Sequence, residues 1–458
     1  MEIDKTKEVV LRCAIIMVGL PARGKTYMSK KLARYLNWIG YRAKVFNVGE
    51  ARRQEIPTSI NNADFFRADN SDAIEMRNKC AMSVLQQMLQ WMKDSGPSIG
   101  IYDATNSTKA RRRLILEHLM AVHNVNILFV ESLCDDPDVI ETNIKDVKIM
   151  SPDYENVSRE QAVEDFKQRI KYYERSYEPL DIDYDKNISF LKIFNLGSKF
   201  IANKIKSHMQ SRIIYYFMNI SVLPRVIYIT RAGETNGNMM GLVGGDDDLS
   251  DRGIQYARSL AEFIDRNNMK DIVVWSSLMR SALKTCDTLK PFVATVSRLK
   301  ALNELDNGSF EGLTQEDIRC RFPEEYTLRE NDKYYYRYPS GESYQDLVVR
   351  LEPIIMELEK VSNVMVVCHQ AVARCLLAYL LDEPREDVPY LDVPLHTVFK
   401  LTPHAYGCKV DRISFNIPAV NNYRPKPKGL VSVTSFDESR LRRKMSYSSL
   451  TPTSTTKL

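Results

Sequence analysis

Up to about Phe217, short β-branched and apolar runs alternate with longer stretches whose apolar positions recur at helical spacing. The short runs predict strands over 9–18, 43–48, 99–103, 125–131 and 188–194, and the longer stretches predict helices over 25–36, 72–93, 109–122 and 159–173. Strands separated by helices need crossovers, which implies a largely parallel sheet. A second α/β series follows, with strands over 225–230, 271–275, 364–369 and 397–401 and helices over 251–266, 343–360 and 372–381. The stretch 200–216 reads as helical throughout. Leu223-Pro224 interrupts the pattern. The chain therefore divides into 1–222, 223–424 and a tail, 425–458, whose Pro, Ser, Thr and basic residues imply disorder.

A length of 458 residues suits two cores better than one. No apolar run reaches the length needed to span a bilayer. The first such run is short and leads into Pro21-Ala22-Arg23-Gly24-Lys25, unlike a signal peptide. The eight cysteines include no Cys-x-x-Cys pair, which points to a reducing compartment, the cytosol. Net charge is +5, yet from Arg424 onward eight basic residues face two acidic ones, a net +6 that leaves −1 for the rest. A near-neutral body argues against nucleic acid as a partner.

Gly19-Leu20-Pro21-Ala22-Arg23-Gly24-Lys25-Thr26 fits the P-loop pattern, after one expected strand and opening a helix. Its glycines let backbone N–H groups close on phosphate oxygens. Lys25 is placed for the β- and γ-phosphates of ATP, and the Thr26 hydroxyl for Mg²⁺. A P-loop also needs a carboxylate on a neighbouring strand, and Asp103 ends one such run. Asp103 either caps the next helix or orients and deprotonates an acceptor hydroxyl; beside a P-loop the second reading is preferred. Arg52, Arg53, Arg67, Arg77, Arg111, Arg112 and Arg113 fall in or beside loops and first helical turns. Arg recognises phosphate bidentately, so the group suggests a phosphorylated small acceptor.

These strings, with Phe46-Asn47-Val48-Gly49-Glu50, Phe65-Phe66-Arg67, Tyr102-Asp103-Ala104-Thr105-Asn106, Cys134-Asp135-Asp136-Pro137, Val147-Lys148 and Ser151-Pro152-Asp153-Tyr154, resemble the bifunctional 6-phosphofructo-2-kinase/fructose-2,6-bisphosphatase family. The similarity runs from about residue 10 to 421. It implies an ATP- and Mg²⁺-dependent kinase domain followed by a phosphoglycerate-mutase-like histidine phosphatase domain, both α/β. The reaction implied is transfer to the 2-hydroxyl of fructose 6-phosphate. By resemblance, Gly19 to Tyr27 with Asn143 and Lys148 lie at the nucleotide. Arg52, Arg77, Thr105, Arg111, Lys148, Arg169 and Tyr173 hold the sugar phosphate, and Cys134 belongs to the kinase site, although a free Cys is often just a small buried residue. Ala51 stands where the family usually has Tyr. The resemblance also implies a homodimer joined through kinase domains, with 200–216 a candidate contact.

Thr230-Arg231-Ala232-Gly233-Glu234 resembles the Arg-His-Gly-Glu signature of histidine phosphatases, in which the His carries the phosphoryl group. Ala232 takes the place of that His and has no lone pair to attack phosphorus. Glu304 matches the acid that protonates the leaving oxygen, and His369 the second histidine. Arg231, Asn238, Gly244, Arg329, Lys333, Tyr344, Gln370 and Arg374 match substrate-binding positions, and Tyr406 lies in a matching string. Leu242 replaces an Arg and Gln315 a Tyr, while Asp247 and Asp248 add two carboxylates to the Gly245–Ser250 loop. Several changes at one pocket read as a natural site released from hydrolysis rather than an engineered trap. Two alternatives stay open: the half is a phosphosugar-sensing module, or it keeps slow hydrolysis through Glu304 and His369. In the tail, Arg442-Arg443-Lys444-Met445-Ser446 offers Ser446 to a basophilic protein kinase.

Overall fold

The computed structural model describes residues 12–55, 63–67, 69–122, 124–144, 154, 157–221, 225–404 and 407–427. Lys148, Tyr406 and Ser446 lie outside the described residues. The N-terminal half comprises β1 (Arg12–Val18), α1 (Lys25–Trp38), β2 (Ala43–Asn47), α2 (Val48–Glu55), α3 (Ser71–Asp94), β3 (Ser98–Asp103), α4 (Lys109–Met120), β4 (Val125–Leu133), α5 (Pro137–Asn143), α6 (Arg159–Arg175), β5 (Phe190–Phe194), β6 (Lys199–Asn203) and α7 (His208–Asn219). The strand order is β2-β3-β1-β4-β5-β6; the first five are parallel and β6 is antiparallel to β5. Every residue of 13–18 is buried, because helices cover both faces of the sheet. Cys13, Ile15 and Met17 face α1 and α7, whereas Ala14, Ile16 and Val18 face α3 and α4.

The expectation of one helix over 200–216 is corrected. Phe200 and Ile201 sit in β6, at the sheet edge, and the helix begins after Ser207. The signal for the start is a capping box: the Ser207 side chain accepts from the Gln210 N–H and the Gln210 side chain reaches back. Ile213, Tyr216 and Phe217 of α7 are buried within the chain.

The C-terminal half comprises β7 (Val226–Arg231), α8 (Asn236–Met240), α9 (Asp251–Arg266), β8 (Val273–Ser276), α10 (Arg280–Asp287), β9 (Thr295–Arg298), α11 (Gln315–Arg321), α12 (Pro323–Asn331), α13 (Tyr344–Lys360), β10 (Asn363–Cys368), α14 (Gln370–Leu381), β11 (Thr397–His404) and β12 (Gly407–Ser414). Its sheet runs β12-β11-β7-β10-β8-β9, parallel from β7 to β9, with β11 and β12 antiparallel at one end. The loops after β7 and β10, central and adjacent, open at the same sheet end, which is where parallel α/β sheets place their sites.

The two halves share a core. Tyr35 of α1 stacks on Tyr216 of α7 at 4.3 Å, and Trp38 meets Tyr379 of α14 edge-on at 5.5 Å. Within this apolar contact the wholly buried Glu359 of α13 accepts from Lys31 (2.5 Å), Tyr379 (2.6 Å), Arg34 (3.4 Å) and Arg225. Burial alone would raise the Glu359 carboxyl, but Lys31, Arg225 and Arg34 outweigh it and hold the group well below its ordinary value. Burial also pulls the Lys31 ammonium down to about 8, against the attraction of Glu359.

A depressed carboxyl contributes stability that is complete above its unfolded value of about 4.3 and is lost as pH falls below it. Melting curves between pH 6 and pH 3.5 are therefore expected to fall steeply for the native chain and less steeply for Glu359→Gln, which starts lower. Lys31 works in the other window. Between about 8 and about 10.4 the unfolded chain binds more protons than the folded one, so this group adds stability as pH rises there.

Candidate active sites

The loop after β1 is shaped by its neighbours. Gly19 has φ +136°, its N–H donates to the Thr105 carbonyl at 2.9 Å, and a Cβ on it would sit 2.5 Å from the Ser132 carbonyl oxygen. Only glycine fits so close an approach. Ala22 (φ +59°) and Gly24 (φ +78°) both take positive φ with Arg23 between them, a backbone that turns tightly before α1. The Ser132 hydroxyl donates to the Arg23 carbonyl at 2.5 Å, the Asn143 amide to that of Ala22 at 3.1 Å, and Lys25 Nζ to that of Leu20 at 2.6 Å. Arg23 bonds the Pro21 carbonyl and pairs with Glu174 at 3.6 Å. With the loop turned tightly, Lys25 folded over it and Thr26 opening α1, this donor set fits a triphosphate with its Mg²⁺. The Tyr27 hydroxyl turns the other way, to the Ser221 carbonyl at 3.1 Å.

Asp103, 3% exposed, ends β3 directly across the register from Asn47 of β2. Asn47 Nδ2 donates to Asp103 Oδ2 at 2.5 Å. The capping alternative for Asp103 is removed: Thr108 caps α4, accepting from the Arg111 N–H at 3.2 Å. Cys134 is buried just past β4, near Arg23.

Seven arginines read together from sequence separate in space. The guanidinium groups of Arg52, Arg77 and Arg169 gather on the ring of Phe66, at 4.9, 5.7 and 4.2 Å, and Tyr173 lies 5.8 Å from the same ring. Asp165 holds Arg169 at 3.4 Å, and Arg111 reaches the Asn78 side chain at 2.6 Å. Arg112 instead straps the carbonyls of Asn106, Glu178 and Pro179. Arg67 and Arg113 form surface pairs with Asp69 and Glu117. Phe66, which gathers three guanidiniums in a partly desolvated cluster, was visible in sequence only as one of an aromatic pair.

In the second half, Ala232 follows β7 and its N–H donates to the Cys368 carbonyl at 2.8 Å. Gly233 is required here, since a Cβ would meet the Gly253 carbonyl oxygen at 2.6 Å. His369 Nε2 lies 2.7 Å from Ser277 Oγ, and burial lowers its pKa, so the ring is neutral at physiological pH. Glu304 accepts from the Ala371 N–H at the start of α14, at 3.0 and 3.2 Å. Arg231, pulled down to about 10 by burial, remains protonated and donates to the Val393 carbonyl at 3.0 Å.

Around these groups, Arg374 bonds the Tyr344 hydroxyl at 3.1 Å and the Leu391 carbonyl at 2.8 Å. Arg329 bonds the Tyr338 hydroxyl at 2.7 Å, and Lys333 pairs with Glu330 at 3.2 Å. Gln370 is the first residue of α14. Asn238 spends its side chain on the Thr235 N–H in a capping box, and the Glu311 carboxylate sits against Gly244, bonded to the Gly245 N–H. The loop carboxylates find cations: Asp248 pairs with Lys284 at 2.8 Å and Asp246 with Arg280 at 3.8 Å. Asp247 packs back on Gly237 and Gly245. Leu242 bridges to Thr314, the residue before Gln315. Ser277, the partner of His369, carried no sequence signal, being a serine in a strand-end loop. Among the described residues no cluster of metal-ligating side chains occurs.

The family model for 6-phosphofructo-2-kinase matches residues 3–224, and that for the histidine phosphatase superfamily, branch 1, matches residues 227–416. The rat protein "6-phosphofructo-2-kinase/fructose-2,6-bisphosphatase 3" is 51% identical over 91% of this chain and 74% of its own length. The Aquarana catesbeiana "6-phosphofructo-2-kinase/fructose-2,6-bisphosphatase" is 52% identical over 90% and 87%. Among solved structures, the alpha-ribazole phosphatase of Shigella flexneri aligns with 43% of this chain and all of its own, at 24% identity and a TM-score of 0.38. With both halves matched in order and half of its residues shared along nine-tenths of its length, the chain belongs to the 6-phosphofructo-2-kinase/fructose-2,6-bisphosphatase family.

Proposed function

We propose that the N-terminal half phosphorylates fructose 6-phosphate at its 2-hydroxyl, giving fructose 2,6-bisphosphate, and that the C-terminal half does not reverse this at a comparable rate. The kinase reading rests on the P-loop after β1, on Asp103 at the end of the adjacent parallel β3, and on Arg52, Arg77 and Arg169 gathered on Phe66. It takes its acceptor from the names of the relatives. ATP with Mg²⁺ supplies the phosphoryl group and neutralises part of its charge. In this reading the loop N–H groups and Lys25 hold the phosphates, Thr26 faces the metal, and Asp103 accepts the proton of the 2-hydroxyl. The arginines anchor the 6-phosphate end of the acceptor, which fixes the angle at which that hydroxyl meets phosphorus.

The loss of hydrolysis rests on Ala232. Arg231, His369 and Glu304 remain, but the position that matches the attacking His of the resembling family is a methyl group, and Ser277 is wholly buried. Losing a covalent nucleophile costs about a millionfold in turnover, while positioning and charge leave roughly a thousandfold over water. Purified protein should therefore convert ATP and fructose 6-phosphate to the bisphosphate, and hydrolyse added fructose 2,6-bisphosphate far more slowly. Hydrolysis keeping pace with synthesis would refute this half of the proposal.

A second reading has its own support. Helix α14 starts beside His369 and ends against α1, where Trp38 Nε1 donates to the Cys375 carbonyl at 3.0 Å and Arg34 to that of Leu380 at 3.3 Å. The P-loop is at the start of α1, so a phosphosugar held by Arg231 and Arg374 can bias the kinase through two rigid helices. Calorimetry on the full chain should then detect fructose 2,6-bisphosphate binding that Arg374→Ala weakens. A chain that binds none sinks the sensing role alone.

A further inference from the structure

Asn47 bonds both Asp103 and the first turn of α2, the helix that carries Arg52. We propose that Asn47 is a positioning residue for Asp103, an inference that rests on the kinase reading above. Its two amide atoms are assigned by their partners. The backbone N–H of Glu50 can only donate, so the atom 2.8 Å from it is Oδ1. That leaves Nδ2 for the Asp103 carboxylate, at 2.5 Å. The Nδ2 bond is made across the end of a parallel pair whose register sets Asn47 opposite Asp103, and the Oδ1 bond is local, to the third residue of α2.

Each bond does a different job. The Oδ1 bond caps α2, meeting an N–H that a helix start would otherwise leave unpaired, and α2 carries the buried Arg52. The Nδ2 bond sets the plane of the Asp103 carboxylate and therefore the direction of its second oxygen. One amide thus fixes the relative placement of the proton acceptor and of the arginine that grips the substrate's far phosphate. A misplacement of about 1 Å in such a pair costs on the order of a hundredfold in rate.

A cap alone and a positioning bond make opposite forecasts for Asn47→Asp. Aspartate caps a helix as well as asparagine, so a merely structural role leaves this variant like the native chain. The positioning role does not: the donor is gone and a second carboxylate faces Asp103. The expected result is a fall in kcat of about a hundredfold or more. KM for ATP should stay within about twofold, because the P-loop is untouched, and the crowding of two carboxylates should lower the melting temperature. Asn47→Ala, losing both bonds, should lose kcat and melt earlier. A crystal structure of Asn47→Asp should show the Asp103 carboxylate rotated from its native plane.

Native kcat in Asn47→Asp, or an unmoved Asp103 carboxylate, overturns the inference. Native protein inactive on fructose 6-phosphate would instead overturn the kinase reading, and the position of that carboxylate would still decide the role of Asn47.

Discussion

Asp103→Asn is expected to lower kinase turnover by roughly a hundredfold to ten-thousandfold while leaving KM for ATP close to its native value. The substitution is nearly isosteric, and the new amide can present its oxygen to Asn47 Nδ2, so the 2.5 Å contact and the end of β3 survive. What disappears is the ability to accept a proton from a hydroxyl. An effect confined to kcat is the signature of a group acting in the transition state rather than in binding. Lys25→Met supplies the contrast, since Lys25 lies over the phosphate loop against the Leu20 carbonyl and its loss should raise KM for ATP as well. Steady-state rates across an ATP series, with fructose 6-phosphate saturating, separate the two. Turnover of Asp103→Asn within tenfold of native would place the base elsewhere.

Glu359→Ala is expected to cost about 3–5 kcal/mol, because removing one partner of a buried ionic cluster leaves the others uncompensated. Lys31, Arg34 and Arg225 would then face one another in an apolar contact with no carboxylate between them. A loss of that size is a large share of the 5–15 kcal/mol that holds a typical domain. Denaturant titration should show the midpoint falling for both halves together. Kinase activity should also be lost at a lower temperature, although Glu359 lies in the other half. Independent unfolding of the halves, with the kinase untouched, would disprove the linkage.

The parts legible in the sequence were those written locally. The P-loop is a contiguous string between a strand and a helix, and α9 and α14 announce themselves by spacing alone. Asp103 was readable as a strand-end carboxylate, but choosing between cap and base required seeing Thr108 take the cap. Elements that failed to show were short or on an edge. β9 has four residues, and β6 was absorbed into a helical reading because its Phe200-Ile201 pair suits either period over so brief a run.

The illegible remainder depended on distance along the chain. Lys31 and Glu359 are 328 residues apart, and nothing near either one signals the other. Asn47 and Asp103 are 56 apart and needed the strand register to bring them together. The arginines illustrate the same limit from the other side. Sequence collected seven by proximity, and only folding separated those around Phe66 from Arg67, Arg112 and Arg113.

The run of α14 from Gln370 to Leu381 has a bearing on which substitutions a lineage can absorb. Its first turn lines the pocket, and its last turns are the wall against which α1 is built. A change at position 232 alters what the pocket can do without touching that wall, so the chemistry can drift while the solid body stays under constraint. Positions 359 and 379 have no such latitude, since each is wholly buried in the join. A second half that has given up turnover would still be inherited intact, as the surface on which the first half keeps its shape.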